Sequence, residues 1–226
     1  MTVGAVLSQS LDLYQRFFWR FVATAAAVFV VLDLVSAIGS TVDSTGGQVF
    51  WALVGIVLSI VGTFWVQGAL TEAVRDVRDG RIDTTIGELY QRTRPRLAAL
   101  IVAGVLAALG IVVGLILLIV PGLYLLTRWA LITPVIVIEN RSAGEAFRRS
   151  SELTAGSRWK VLGVVVVTLL ILIVFSAIVS GILSAILPEF LGAWLGSLAA
   201  HVLLTPFLAL AWTTMYFELI PEPQTA

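Results

Sequence analysis

The chain contains no cysteine, a single histidine and few charged residues. The absence of cysteine excludes disulfides, thiolate metal sites and cysteine nucleophiles. Charged residues make up 12% of the 226 residues, apolar residues make up 59%, and the mean hydropathy is +1.01. A soluble domain needs a larger share of polar surface than this. The composition therefore predicts a membrane protein.

Long apolar runs dominate the sequence. Each of six runs is near the twenty or so residues that a helix needs to cross about 30 Å of hydrocarbon. The runs are Phe17–Gly39, Val49–Thr71, Leu97–Val120, Gly122–Ile138, Val161–Leu187 and Leu191–Phe217. A backbone in hydrocarbon must satisfy its own hydrogen bonds, and the runs lack the alternating period of a barrel strand. The predicted fold class is therefore all-α, a polytopic membrane protein with six transmembrane helices.

Turn signals divide the six runs into three pairs. The signals are Gly46-Gly47, Pro121-Gly122 and Pro188-Glu189. They predict three helical hairpins, and the third and fourth runs should form the tightest one because only Pro121-Gly122 separates them. Pairs of glycines four residues apart should let helix backbones approach closely. These pairs are Gly110 with Gly114 and Gly192 with Gly196.

Basic residues are confined to one set of connections. Thirteen of the fourteen Lys and Arg residues lie in three segments, 16–20, 75–96 and 141–160. Cytoplasmic loops concentrate Lys and Arg. We therefore expect a multi-pass protein of the inner (cytoplasmic) membrane with both termini in the cytoplasm. The N-terminus lacks the pattern of a cleaved signal peptide, so the first helix should be retained.

A similar phrase recurs in the three basic segments. Thr2, Thr85 and Ser142 are each followed two places later by glycine. Thr85 and Ser142 also precede a glutamate by three positions, which is the spacing of a capping box at the start of a helix. We therefore expect short amphipathic interfacial helices on the cytoplasmic side, each followed by two spans. The alternative is that any amphipathic helix beside a membrane has this composition. As a repeat, the single membrane domain 1–226 would divide into the units 1–79, 80–138 and 139–226.

The third interfacial helix is predicted from about Ala143 to Thr154, lying flat at the membrane surface. Basic residues near an anionic surface contribute about 1 kcal/mol each to lipid attraction. The candidate surface for lipid headgroups or a partner comprises Arg92, Arg94, Arg96, Arg148, Arg149, Arg158 and Lys160. The alternative is that these residues only set the orientation of the chain. Tryptophans close to span ends should lie at the headgroups; they are Trp19, Trp51, Trp129, Trp159 and Trp194.

Three ionisable residues fall inside predicted spans: Asp33, Arg128 and His201. An Asp or Arg near the bilayer centre costs about 2.5 to 3.5 kcal/mol on insertion scales. Asp33 and Arg128 lie at similar predicted depths, so we expect a buried ion pair between the first and fourth spans. The alternative interpretation makes the three groups a polar cluster on the path of a proton or solute.

A further pattern of residues is clearest between Leu97 and Val165. It consists of Pro121, Gly122, Arg128, Trp129, Pro134, Glu139, Arg149, Ser150 and Trp159. The pattern resembles the glycerophosphoryl diester phosphodiesterase membrane domain family, which includes small bacterial membrane proteins of unassigned function. Members of that family are sometimes fused to a catalytic phosphodiesterase barrel, so the resemblance implies such an enzyme as a partner. Because this sequence ends at Ala226, we expect no such barrel within it.

The residues themselves do not indicate an enzyme. Phosphodiester hydrolysis of the barrel type needs metal-binding carboxylates with acid and base groups, and the single histidine lies in the sixth span. Phosphate-loop, His-Glu-x-x-His and Gly-x-Ser-x-Gly patterns are missing. We expect a non-catalytic membrane module without cofactor or metal. Its partners would be membrane lipids, anionic ones among them, or a protein of lipid or envelope metabolism, and not nucleic acid. The alternative is a small transporter or channel-like protein.

Overall fold

The computed structural model describes residues 2–39, 44–80 and 83–220, and all regular elements in this part of the chain are helical. A 3₁₀ turn at Arg94–Arg96 connects the fourth and fifth α-helices. The α-helices are α1 (Val3–Arg16), α2 (Phe18–Gly39), α3 (Thr45–Arg78), α4 (Ile86–Thr93), α5 (Leu97–Leu117), α6 (Ile119–Arg128), α7 (Ile132–Glu139), α8 (Ala143–Thr154), α9 (Arg158–Ile186) and α10 (Glu189–Leu219).

Six helical segments of the described chain are long and apolar enough to cross a membrane. They are Phe18–Ser36, Thr45–Arg78, Ile86–Leu117, Ile119–Glu139, Arg158–Ile186 and Trp194–Leu219. Each corresponds to one predicted apolar run. The all-α fold with six spans is therefore confirmed.

Helix α10 is central in the packing of the spans. It packs along α9 and also contacts α2 and α3, while α2 packs on α3 and α5 packs on α6. The predicted close approaches at glycine are confirmed. A Cβ atom at Gly114 would lie 3.0 Å from Gly122 Cα, and one at Gly192 would lie 3.0 Å from Ser184 Cα.

The turn between the third and fourth spans lies three residues earlier than predicted. The backbone is extended at Leu118 (φ −160°, ψ 143°), and α6 begins directly after it. Pro121 and Gly122 lie in the first turn of α6, where a missing proline N–H costs no helical hydrogen bond. Gly122 instead provides the space in which α6 meets Leu115 of α5.

The fourth span is broken rather than continuous. Helix α6 ends at Arg128 and α7 begins at Ile132, so the backbone groups at the break need partners elsewhere. Ser150 of α8 is the partner of two of these groups. Its hydroxyl donates to Arg128 O at 2.8 Å and accepts from Leu131 N at 3.2 Å. A side chain that satisfies the freed groups is the condition under which irregular backbone is tolerated within a membrane.

Both predicted capping boxes are confirmed. At α4, Glu88 N donates to Thr85 Oγ1 at 3.3 Å and Thr85 N donates to Glu88 Oε2 at 2.8 Å. At α8, the hydroxyl and the amide of Ser142 both donate to Glu145 Oε2, at 2.7 and 3.0 Å. These bonds to the Ser142 hydroxyl and amide hold the pKa of Glu145 below its usual value.

Helix α8 has the predicted bounds, Ala143–Thr154. Ala146, Ser150 and Thr154 are fully buried, whereas Arg148 and Glu152 on the other face are exposed. The buried face contacts α5, α6, α7 and α10. The inward side of α8 is therefore covered by protein, not by lipid.

Buried side chains concentrate at the end of the bundle where α3 and α10 finish and α5 begins, which we call the basic end. Residues 66–74 of α3 and 210–216 of α10 contribute many of its fully buried side chains. Large apolar side chains elsewhere, as in 49–58, 112–120 and 170–186, are exposed, as expected for a surface that faces lipid. The packed core therefore lies close to the arginines.

Candidate functional site

Three acidic side chains at the basic end accept hydrogen bonds from arginines, and we call them the carboxylate network: Glu72, Asp76 and Glu139. Asp76 is 1% exposed, and Arg92 Nη1 lies 3.1 Å from each of its oxygens. Arg20 Nη2 lies 3.8 Å from Asp76 Oδ2. This carboxylate therefore connects α2, α3 and α4.

Glu72 lies one helical turn before Asp76 and is also buried. Arg96 Nη1 donates to Glu72 Oε1 at 2.9 Å, and Arg96 Nε donates to Asn140 Oδ1 at 2.9 Å. Arg75 lies 3.9 Å from the same carboxylate. One guanidinium thus connects the end of α3 to the residue that follows α7.

Glu139 is the third member of the carboxylate network. Arg149 Nε lies 2.9 and 3.1 Å from its two oxygens, and the Tyr216 hydroxyl donates to it at 3.1 Å. Arg141 Nε lies 3.4 Å away. Glu139 therefore connects α7, α8 and α10.

This geometry separates the seven basic residues of the predicted lipid or partner surface into those that are paired within the protein and those that are not. Arg92, Arg96 and Arg149 form ion pairs within the carboxylate network, so their charges are already compensated inside the protein. Arg148 is 75% exposed and forms only a loose pair with Glu152 at 3.8 Å. Arg94 and Lys160 are exposed as well. The candidate surface thus reduces to Arg94, Arg148, Arg158 and Lys160.

The predicted ion pair between Asp33 and Arg128 is wrong. His201 Nδ1 lies 3.1 Å from both oxygens of Asp33, and the imidazole stacks on Phe29 with ring centroids 4.8 Å apart. Arg128 Nε instead donates to Ser151 Oγ at 2.7 Å. The structure therefore brings together two members of the predicted polar cluster and places the third beside α8.

The comparisons with known proteins identify a family. A model described as the membrane domain of glycerophosphoryl diester phosphodiesterase matches residues 100–220, which is more than half of the chain. The chain belongs to this family. No curated protein and no solved structure matches the chain.

The residues by which the sequence resembles the membrane domain family hold α8 against the broken span. Arg128 donates to Ser151, Ser150 satisfies the break, and Glu139 pairs with Arg149. Trp129, expected at the headgroups, instead packs edge-on against Phe147 at 5.0 Å. The remaining residues lie in the first turn of α6, in α7 and at the start of α9: Pro121, Gly122, Pro134 and Trp159.

Trp159 is 86% exposed, whereas most of the other pattern residues are buried or partly buried. It lines a groove between α6 and α9 with a volume of about 320 Å³. Val120, Leu123 and Leu162 give this groove apolar walls, and Arg158 lies at the start of α9. We call it the α6–α9 groove.

Arg158 is the basic residue of the α6–α9 groove. Its guanidinium lies over the Tyr124 ring, 5.0 Å from the centroid. Among the described residues, Arg158 Nε is buried without a hydrogen-bond partner, and no carboxylate lies within ion-pair distance of the guanidinium. The N-terminus of α9 also has no side-chain cap. The groove therefore presents a cation next to an apolar wall.

The interpretation of the sequence missed Glu72 and Asp76. Their signal was available, because two carboxylates four residues apart lie on one face at the end of an apolar helix, and arginines follow closely in the chain. Asp76 lies inside the basic segment 75–96 and Glu72 lies just before it, so arginines outnumber the carboxylates in this part of the sequence. The sequence contained the partners, but it did not show which arginine each one binds.

Proposed function

We propose that the protein is a non-catalytic membrane module that binds the phosphate headgroup of an anionic lipid in the α6–α9 groove. The observation that carries the proposal is the buried Arg158 Nε without a partner, next to apolar walls. A buried donor without a partner costs free energy that a ligand oxygen recovers. An anionic phosphodiester with an acyl chain supplies both the oxygen and the apolar tail.

Helix and side-chain charges support an anion at this position. The first amide groups of a helix carry partial positive charge, and anions bind there readily. Lys160 follows Arg158 by two residues and is exposed. Trp159 lies between them and can keep its ring in the apolar zone with its N–H among the headgroups. The start of α9 therefore offers the mixture of charge and apolar surface that a lipid headgroup region requires.

The location and orientation of the protein are part of the same proposal. The chain is a multi-pass membrane protein, and we place it in the inner membrane with its basic end and both termini in the cytoplasm. The support is the concentration of arginine at the basic end, together with the general excess of Lys and Arg in cytoplasmic loops. Anionic lipids of the cytoplasmic leaflet would then be available to the groove.

A protein partner is proposed from the family. The family description names glycerophosphoryl diester phosphodiesterase, so an enzyme of that kind is the partner that the family relationship favours. Arg94 and Arg148 remain on the exposed surface of the basic end for such a contact. In this arrangement the membrane module would hold lipid near an enzyme and would not itself hydrolyse it.

The lipid proposal is tested with Arg158→Gln in the detergent-solubilised full chain. Binding of phosphatidylglycerol and of phosphatidylcholine is measured by native mass spectrometry. Loss of one cation costs about 1 kcal/mol, so the dissociation constant for phosphatidylglycerol should rise about fivefold. Phosphatidylcholine binding should change little, because its headgroup has no net charge.

Arg148→Gln is the matched control, since it removes one exposed positive charge from a neighbouring helix and leaves the groove intact. It should leave phosphatidylglycerol binding nearly unchanged. Equal losses in the two variants would show that only overall charge matters, and the groove proposal would then be rejected. A wild-type protein that binds both lipids equally would have the same consequence.

A further inference from the structure

A second cavity lies between α2, α3, α7, α9 and α10, apart from the α6–α9 groove. Its volume is about 190 Å³. Polar side chains from three helices line it: Thr63 and Gln67 of α3, Thr133 of α7, and Thr205 and Thr213 of α10. The break before α7 positions Thr133 near the start of that short helix. We call this space the central cavity.

Four of the five threonines that line the central cavity differ from most other threonines in the spans, since the fifth, Thr71, donates to Gln67 O at 2.9 Å. Elsewhere the hydroxyl donates to the carbonyl four residues earlier, as Thr24 does at 2.8 Å and Thr168 at 2.9 Å. Among the described residues, the side chains of four cavity threonines and of one glutamine have no hydrogen-bond partner. They are Thr63, Thr133, Thr205, Thr213 and Gln67. Their donors and acceptors are therefore available to a molecule inside the cavity.

These five polar groups line one space, and Thr213 is buried while the other four are partly buried. Buried hydroxyls and amides normally have partners, and leaving one unmet is costly in an apolar medium. Five groups from three helices around one space therefore indicate a polar occupant. Leu172, Leu208 and Trp212 also line the space, so part of its wall is apolar.

The charged groups beside the cavity restrict the charge that a bound molecule can carry. His201 is the one titratable residue among those that line the cavity in the described chain, and Asp33 lies against it at 3.1 Å. Since His201 is already paired with Asp33, the lining residues of the described chain offer no unpaired charge that could neutralise an ionic ligand. Burying an uncompensated charge is expensive. The site therefore favours an uncharged molecule.

We propose that the central cavity binds a small uncharged molecule with both hydrogen-bonding groups and a short apolar part. A dry cavity of about 150 Å³ accommodates one benzene molecule, so the ligand should have about six to eight non-hydrogen atoms. The threonines and Gln67 would bind its polar end, and Leu208 with Trp212 would contact its apolar part. This site is independent of the lipid proposal, since none of its lining residues belongs to the α6–α9 groove.

The absence of cysteine from the chain allows a direct test by single-cysteine labelling. Thr205→Cys in the full chain, reconstituted in phospholipid nanodiscs, is reacted with methyl methanethiosulfonate, and the modified fraction is followed by mass spectrometry. The competing probes are butanamide and butyrate, which have the same number of non-hydrogen atoms and differ in charge. Butanamide should slow the labelling about threefold at twice its dissociation constant. Butyrate at the same concentration should have no effect.

Three controls separate binding from general effects. Ile178→Cys is on an exposed apolar surface of α9, and neither probe should change its labelling rate. Thr133→Cys places the thiol on another wall of the cavity and should give the same protection, which covers the case that Thr205→Cys fails to fold. Gln67→Leu, combined with Thr205→Cys, should abolish protection by butanamide.

Two results would overturn the proposal. Protection by butyrate equal to that by butanamide would show that charge is not excluded. Labelling of Thr205→Cys that is no faster than that of Ile178→Cys and insensitive to butanamide would show that the cavity admits no such molecule. Neither result bears on phosphatidylglycerol binding at Arg158, so the two proposals can fail separately.

Discussion

Arg149 and Arg148 are neighbours on α8 and have the same charge, but the structure gives them different energetic roles. Arg149 pairs with Glu139 at 2.9 Å, where the side chains are 31% and 15% exposed. Arg148 pairs with Glu152 at 3.8 Å, where they are 75% and 53% exposed. We predict that Arg149→Gln destabilises the protein and that Arg148→Gln does not.

The magnitude follows from the burial of each pair. Breaking a buried ion pair by removing one partner costs about 3 to 5 kcal/mol, whereas an exposed pair is worth about 0 to 1 kcal/mol. The energy of the Arg149–Glu139 pair lies between these limits, because solvent partly screens both groups. We therefore expect a loss of about 2 kcal/mol for Arg149→Gln, or about thirtyfold in the unfolding constant. The loss for Arg148→Gln should be below about 0.5 kcal/mol.

The assay is unfolding by sodium dodecyl sulfate in mixed micelles, followed by circular dichroism. A double-mutant cycle with Glu139→Gln isolates the interaction between the two side chains, and the coupling energy should be about 1 to 2 kcal/mol. Equal losses for Arg149→Gln and Arg148→Gln, or a coupling energy near zero, would refute the assignment of Arg149 to the carboxylate network.

Two further predictions concern α8 and its connections. Ser150→Ala leaves Arg128 O and Leu131 N without partners and should cost about 1 to 3 kcal/mol, whereas Ser10→Ala removes only a bond to Val6 O of its own helix and should cost less; the same unfolding assay distinguishes them. Glu145→Gln should destabilise α8 at pH 7, and its difference from the unmodified protein should shrink as the pH is lowered below 4.5. The pKa of Glu145 is lowered on folding, so its contribution is present above the usual value of 4.5 and is lost as the pH falls through the lower folded value.

The six helical spans were predictable from the sequence because they depend on properties that are local in the chain. A run of about twenty apolar residues requires a helix in hydrocarbon, whatever its neighbours are. The capping boxes at Thr85 and Ser142 depend on a spacing of three residues, and both are present. The number and approximate position of the spans, and the bounds of α8, could therefore be derived without any knowledge of packing.

The partners of charged residues were not predictable, because they depend on how helices rotate about their axes. Asp33 and Arg128 were matched by depth alone, but His201 of α10 faces Asp33. Arg128 lies at the end of α6, where the break in the fourth span directs it to Ser151. That break had no clear local signal, since its stabilising group is on Ser150, which lies nineteen residues after Leu131 in the sequence.

Equivalent positions in the three phrases share burial, which supports the proposed repeat. Four residues after Thr2, Thr85 and Ser142 come Val6, Leu89 and Ala146, and all three are fully buried. Eight residues after them come Ser10, Thr93 and Ser150, which are also fully buried. The threefold repeat stays a prediction, but α1, α4 and α8 each bury the residues at these two positions.

The position between these two differs among the three phrases. Seven residues after the hydroxyl residue, the second and third copies carry Arg92 and Arg149, which pair with Asp76 and Glu139. The first copy carries Gln9, which is exposed and uncharged. The second and third copies are therefore fixed by ion pairs to the ends of α3 and α7. Since those pairs compensate the arginine charges, the basic residues left for the proposed lipid contact are the ones outside this position, Arg158 among them.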